Sequence, residues 1–422
     1  MNSNKEKYFQ RKVDNMERIE GGVTAAKGFE AACAAAGLKY KDRTDMALVY
    51  SQVPCVTAGT FTTNVVKAAP VKWDQQVVKS EKKSQAIIVN SGIANACTGA
   101  EGFGYCKDTA DKAGEVLGID PAGVLIGSTG VIGKQMPIEK LKAGIEALAP
   151  KKASTLEAGT EAARAIMTTD TKEKEIAVTI QVKDKTVTIG GMAKGSGMIH
   201  PNMCTMLSFI TTDAVITKEA LQSALSEDVP DTYNMISVDG DTSTNDTVLL
   251  LANGMAENEE ITCGTPEYQE FKAALHVINE YLAKKIAGDG EGATALFEAK
   301  VIGAESKEQA KVLAKSIVCS NLTKTAIAGH DANWGRILCA MGYSGAQFDP
   351  EKVDLFFESQ AGKIQIIENG TAVDYSEEEA TKILSQPEVT AIADVKLGQE
   401  SASAWGCDLT HGYIEINADY RS

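Results

Sequence analysis

The chain has 422 residues, with 42 Lys and Arg against 57 Asp and Glu, giving a formal net charge of −15. At 44 % hydrophobic, 23 % charged and 6 % aromatic residues, its composition is that of a globular protein with a large core, in roughly two or three domains. The acidic balance and the lack of a Lys- or Arg-rich stripe exclude a nucleic-acid binder, because phosphate contacts need a clustered basic face.

The first residues, MNSNKEKYFQRKVDNMERIEGG, are charged throughout and carry no apolar signal region. No run approaches the roughly 18 apolar residues of a membrane helix, so a cytosolic protein that engages no membrane is expected. The nine cysteines are odd in number, scattered and mostly in apolar surroundings, without a CxxC pair, which predicts reduced thiols. The four histidines lie far apart without an HExxH grouping, so no dedicated metal site is expected.

Helical periodicity covers 104–117 and 151–167, and Pro137 occupies the first turn of a helix running to about Leu148. IAVTIQVKDKTVTIGG has two alternating β-branched runs around Lys183, Asp184 and Lys185, which predicts an antiparallel hairpin. Strands are expected over 206–215 and 247–253, and a long helix over 266–287, opened by Pro266 and closed by Gly288. Further on, VDLFFES and GKIQIIENG read as strands, SEEEATKIL as a capped helix, and VTAIADVKLG and GYIEIN as strands. Hairpins mixed with helices favour a layered α/β sandwich over a doubly wound parallel sheet.

Four glycine-rich segments could carry chemistry: NSGIANACTG (90–99), GSTGVIGK (127–134), GGMAKGSGMIHPNMCTMLSF (190–209) and GDGEGAT (288–294). GSTGVIGK is not a phosphate loop, since its glycine spacing is one residue too long and Gln135 follows Lys134. No segment has the dinucleotide fingerprint either. The third segment leads through Pro201 and Cys204 to Thr205, just before an apolar strand. A threonine hydroxyl is a weak nucleophile unless a base is adjacent, and the residue's own α-amino group can serve once it becomes a chain terminus. On that reading Thr205 Oγ attacks the Cys204 carbonyl, the amide becomes an ester, and water releases an N-terminal Thr205. From the residues alone, a threonine placed at a strand start for its β propensity is the stronger account.

KGSGMIHPNMCTMLSFITTDA, with GSTGVIG upstream and SVDGDTSTNDT, DGEGAT, GHDANWGR and INADYRS downstream, resembles the ornithine acetyltransferases. These glutamate N-acetyltransferases of arginine biosynthesis are a self-cleaving N-terminal-threonine family, and the likeness runs from VTAAKGF (23–29) to the last residue. The resemblance implies cleavage between Cys204 and Thr205 into an α chain, 1–204, and a β chain, 205–422, assembled as an α2β2 heterotetramer. It implies an α-β-β-α sandwich of the N-terminal-nucleophile type shared by both fragments, with a smaller C-terminal α/β part. The implied reaction moves the acetyl group of N-acetylornithine to glutamate through an acetyl-Thr205 enzyme. No cofactor is implied, although acetyl-CoA serves some members as donor.

By the same resemblance, Thr129 and Gly130 form the oxyanion hole, and Thr168, Lys194, Thr205, Glu291, Asn417 and Ser422 contact substrate. The chemistry fits each: a glycine turn can offer an N–H beside a hydroxyl, Lys194 a cation for an α-carboxylate, and Glu291 an anion for an amino group. A plain turn and solvated charges are the ordinary readings of the same residues. His200, Cys204, Ile93, Ala295 and Ala332 depart from the family pattern. A second reading keeps Thr205 but delivers the acyl group to water, as an N-terminal-nucleophile amidohydrolase or aminopeptidase would. A binding module would leave the chain uncut.

Overall fold

A computed structural model of the chain describes residues 16–39, 43–200 and 206–419. These fall into two compact units. The first takes the described residues of 1–195, 202–233 and 242–282, and the second those of 196–201, 234–241 and 283–422.

The first unit turns on one long strand, Met46–Phe61. Its first half pairs antiparallel with Phe29–Ala34 and with Ser84–Asn90, and Ser84–Asn90 continues in parallel to Val124–Ser128. Its second half pairs with Thr247–Ala252, and the sheet then runs through Leu207–Thr212, Lys185–Lys194 and Lys174–Val182 to Met16–Ile19. The register shifts between Tyr50 and Cys55, around Pro54, which has no N–H to give a ladder. One strand therefore serves two sheet layers.

Those layers pack face to face. A Cβ placed on Gly127 in Val124–Ser128 would lie 2.8 Å from the Phe209 ring of Leu207–Thr212. Between them Ala47, Val49, Ile87, Val89 and Leu125 meet Met192, Leu207, Phe209, Leu249 and Leu251. At roughly 1.5–3 kcal/mol for each large side chain removed from water, this shared core is the main stabilising term. The alternate residues Leu48, Ile88 and Val124 face outward beneath Ala110 and Ala113 of helix Glu101–Leu117 and Leu141 and Ile145 of helix Ile138–Leu148. On the other outer face Gly191 would place a Cβ 3.2 Å from Ile278 and 3.1 Å from Leu282 of helix Pro266–Gly288. The layer order is thus helix, sheet, sheet, helix, as expected.

The second unit holds a mixed sheet. Its order is Thr371–Ala372, Gly362–Glu368, Asp354–Ser359, Glu388–Asp394, Leu296–Ala304, Glu400–Cys407 and Ile236–Ser237. Leu296–Ala304 runs parallel to Glu388–Asp394 and antiparallel to Glu400–Cys407. Helix Lys307–Cys319, capped by Ser306, buries Leu313, Ala314, Ile317 and Val318.

Most sequence expectations are met within a few residues. The hairpin is Lys174–Val182 with Lys185–Lys194, turning at Lys183 with φ +56°. Helices occupy Glu101–Leu117, Ile138–Leu148, Pro266–Gly288 and Glu377–Leu384. Three expectations are corrected. The helix over 151–167 begins only at Leu156, where Thr155 caps the Ala158 N–H, and a short 3₁₀ turn, Ala149–Lys151, precedes it. GYIEIN is no strand: it lies in helix His411–Ala418, because Thr410 caps the Gly412 N–H and Ile414 and Ile416 face solvent. The eight described cysteines are all free; Cys55, Cys106 and Cys407 are buried, but Cys97, Cys263 and Cys339 are exposed, so apolar surroundings hold only for some.

Asp74 on helix Ala69–Lys79 is completely buried; its Oδ1 accepts the Ile126 N–H at 2.9 Å, while Oδ2 has no hydrogen-bond partner among the described residues. Burial pushes its carboxyl well above the ordinary value, against the smaller pull of the Ile126 N–H. The folded chain then keeps a proton that the unfolded chain releases above pH 3.8, so stability falls as pH rises from there toward the folded value. Urea unfolding over a pH series is expected to show this slope in the parent and not in Asp74→Asn. Parallel curves would contradict it.

Candidate active site

Three strand ends meet at one edge of the first unit. Lys194 closes strand Lys185–Lys194 and pairs with Leu207, the first residue of the next strand and two past Thr205 in sequence. Leu207 in turn pairs with Thr247, whose N–H donates to the Met206 carbonyl at 2.9 Å. Asn245, two residues earlier, sends its amide to the carbonyls of Ala94 at 2.7 Å and Ser128 at 2.8 Å. One asparagine therefore ties the start of these strands to the turn that carries Thr129 and Gly130.

That turn interlocks with the NSGIANACTG loop. Ser128 Oγ donates to Asn90 Oδ1 at 2.7 Å, the Asn90 amide donates to the Ile93 carbonyl at 2.8 Å, and the Val131 N–H donates to the Gly92 carbonyl at 3.2 Å. Gly130 has φ +127°, and a Cβ there would sit 2.3–2.6 Å from the Gly92 backbone, so only glycine fits. The Thr129 N–H is committed to the Asn90 carbonyl at 3.0 Å. The Gly130 N–H and the Thr129 hydroxyl have no partner among the described residues, and they are the donors this turn can offer.

Lys194 is buried, and its ammonium donates to Thr168 Oγ1 at 2.9 Å and lies 3.8 Å from Asp170. Arg43 donates to the Met167 and Thr168 carbonyls at 2.6 and 3.2 Å, which fixes the MTTDT segment from the other side. Burial pushes the Asp170 carboxyl up, but the Lys194 and Lys174 charges outweigh it and hold it well below the carboxylate range. The structure thus brings Lys194 and Thr168 into contact, and it adds Asp170, Lys174 and Asn245, which sequence reasoning passed over. Asp170 could have been noticed as the only charge in MTTDT; Asn245 carried no local signal.

In the second unit Glu291 is buried, and its N–H donates to the Ser196 carbonyl at 2.9 Å. Asn417, on helix His411–Ala418, donates to Glu291 Oε2 at 2.7 Å, so two of the expected substrate residues are partners. A Cβ on Gly197 would lie 2.3–2.4 Å from the Glu291 carboxylate. Around them Thr410 Oγ1 donates to the Gly292 carbonyl at 2.6 Å, and Asp408 accepts the N–H groups of Thr294 at 2.8 Å and Ala295 at 3.1 Å. Asp239 accepts the N–H groups of Met198 at 2.6 Å and Ile199 at 2.8 Å.

Of the departures from the family pattern, Ile93, Ala295 and Ala332 are buried packing residues. His200 Nδ1 contacts Ser237 Oγ at 3.1 Å and Cys319 Sγ at 3.5 Å. Burial first, and then the Lys315 charge, push its imidazole down to about 4, so it is neutral near pH 7. Cys204, Thr205 and Ser422 lie outside the described residues. Among the described residues no group of three or more His, Cys, Asp or Glu side chains could hold a metal ion. No described helix is long and apolar enough to cross a membrane.

Two facing sheets between helix layers, with Lys194 at one strand end and the glycine turn tied to the same group of strands through Asn245, define an α-β-β-α sandwich. Residues 30–422 match the ArgJ family, and the chain belongs to it; this is the family of bifunctional arginine-biosynthesis enzymes. The arginine biosynthesis bifunctional protein ArgJ of Thermotoga neapolitana is 52 % identical over 397 residues, covering 94 % of this chain and 99 % of the relative. Its namesake from Bacillus subtilis is 46 % identical over 413 residues, covering 98 % and 100 %. Among solved structures, the ornithine acetyltransferase of Mycobacterium tuberculosis complexed with ornithine is 42 % identical, covering 44 % of this chain and 98 % of that chain, with a TM-score of 0.42.

Gly130→Ala is expected to force the two glycine loops apart and to lower stability by about 1–3 kcal/mol. Urea unfolding reads this directly, and an unchanged midpoint would show that the turn is not closely packed.

Proposed function

We propose that the chain moves the acetyl group of N-acetylornithine to glutamate through an acetyl-Thr205 intermediate, after self-cleavage between Cys204 and Thr205. The observation that carries this reading is the joining of Lys194, Thr168 and the Thr129–Gly130 turn to the strand that begins just past Thr205. The fragments 1–204 and 205–422 would stay together because their strands share one sheet, and an α2β2 assembly in the cytoplasm is the expected form.

In the precursor, Thr205 Oγ adds to the Cys204 carbonyl carbon, the peptide C–N bond breaks, and the nitrogen leaves as an amine. Water then hydrolyses the resulting ester, giving the Cys204 carboxylate and a Thr205 with free hydroxyl and amino groups. In turnover the amino group takes the hydroxyl proton as the acetyl carbonyl is attacked, and the Gly130 N–H and Thr129 hydroxyl receive the oxyanion. Collapse expels ornithine, its amine taking up that proton. Glutamate's amino group then attacks the acetyl ester and restores Thr205. Lys194 and the Thr168 hydroxyl would hold the α-carboxylate of each amino acid. Within the second unit, Glu291, fixed by Asn417, has the charge that suits an amino group. Acetyl-CoA would enter as an alternative donor to the same threonine, and no resident cofactor takes part.

Ornithine release from N-acetylornithine is expected to depend on glutamate and to yield N-acetylglutamate. Equal release without glutamate would make the protein an amidohydrolase instead. Thr129→Val removes one oxyanion donor and is expected to lower kcat on the order of 10²- to 10³-fold. A kcat within threefold of the parent would remove Thr129 from that role.

A further inference from the structure

The Asp170 side chain is wholly buried, and its two carboxylate oxygens face ammonium and backbone N–H groups among the described residues. Oδ1 accepts from Lys174 Nζ at 2.8 Å and from the Gly195 N–H at 2.6 Å. Oδ2 accepts from the Thr168 N–H at 3.1 Å and faces Lys194 Nζ at 3.8 Å. Thr168 Oγ1 closes the ring by accepting from Lys194 at 2.9 Å.

The two lysines are not equivalent in this ring. Lys174 makes the direct ion contact, which leaves Lys194 attracted by the carboxylate but bonded to the threonine. A lysine side chain carries about 2 kcal/mol of rotamer entropy and by itself does not define where its charge sits. Here the Gly195 N–H fixes the backbone beside Lys194, the Thr168 N–H fixes the hydroxyl it donates to, and both are bonded to the same carboxylate. The position of the Lys194 charge is thereby set by a group that is itself out of reach of solvent.

We propose that Asp170 is the positioning residue of the acetyl transfer: it sets the Lys194 ammonium against the Thr168 hydroxyl, where the α-carboxylate of both amino-acid substrates binds. The proposal rests on the substrate roles given above to Lys194 and Thr168. Because donor and acceptor occupy the same place in turn, the loss of Asp170 acts on both alike. It weakens binding of the carboxylate and leaves the acyl chemistry at Thr205 in place.

The test is a two-substrate steady-state analysis of Asp170→Asn, with active sites counted from the burst of ornithine released by N-acetylornithine alone. The KM for N-acetylornithine and the KM for glutamate are expected to rise by the same factor, about tenfold, with kcat per active site within about twofold. A purely structural role would lower the active-site count and leave both KM values unchanged, and that result overturns the proposal. So does a rise in one KM only. Should Asp170→Asn yield too little folded protein, Lys174→Gln reads the same ring, since Asp170 then draws Lys194 off Thr168. Both KM values are expected to rise about threefold together, and unchanged values overturn the proposal. Failure of the underlying function would show separately, as a parent protein whose ornithine release ignores glutamate.

Discussion

The register in which Lys194, Leu207 and Thr247 lie side by side is the constraint on which the rest depends. Side chains in a strand alternate faces, so a slip of one residue would turn Phe209 out of the core and move Lys194 away from Thr168. The register is held from both sides, by the Lys174–Lys194 hairpin and by Thr247, whose N–H reaches Met206. It also joins strands that precede and follow the proposed cut. A chain divided between Cys204 and Thr205 would thus keep its two parts in one hydrogen-bonded ladder over a common apolar core.

Electrostatics at this edge are local. A chain with a net charge of −15 repels carboxylates at a distance, so an amino-acid substrate has to be recognised by groups placed where bulk charge matters little. Lys194 is such a group, buried and set between a hydroxyl and a carboxylate. The Thr129–Gly130 turn supplies neutral donors, and the packing of Gly130 against Gly92 gives them a fixed direction. In the role proposed for them, preorganised donors of this kind would lower the barrier, because no reorientation is needed as charge develops. Within the second unit, Glu291 is placed by its own neighbours, with Asn417 on its carboxylate and Gly197 leaving the room it occupies.

Where chemistry is written in short segments, the sequence could be read. The Lys183 hairpin, the Pro266 helix, the Gly130 turn and the Lys194 strand end all follow from local rules of alternation, capping and left-handed backbone. What escaped depends on distant partners. Asp170 looks like any aspartate in a polar segment until the hairpin brings Lys174 and Lys194 to it. Asn245 acquires meaning only when Ser128, 117 residues away, offers its carbonyl. Met46–Phe61 holds serine, threonines and a proline and shows no clean alternation, because its two halves face different neighbours. GYIEIN alternates like a strand, yet Thr410 and the tie from Asn417 to Glu291 make it helix.

The central claim is that one threonine, made N-terminal by the protein itself, carries the acetyl group. The most direct test is the intact mass of the purified protein before and after N-acetylornithine is added without glutamate. The account predicts two fragments, the second beginning at Thr205, and a gain of one acetyl group on that fragment alone, lost again when glutamate is supplied. A single uncut chain, or a Thr205-led fragment that never gains the acetyl group, would contradict it.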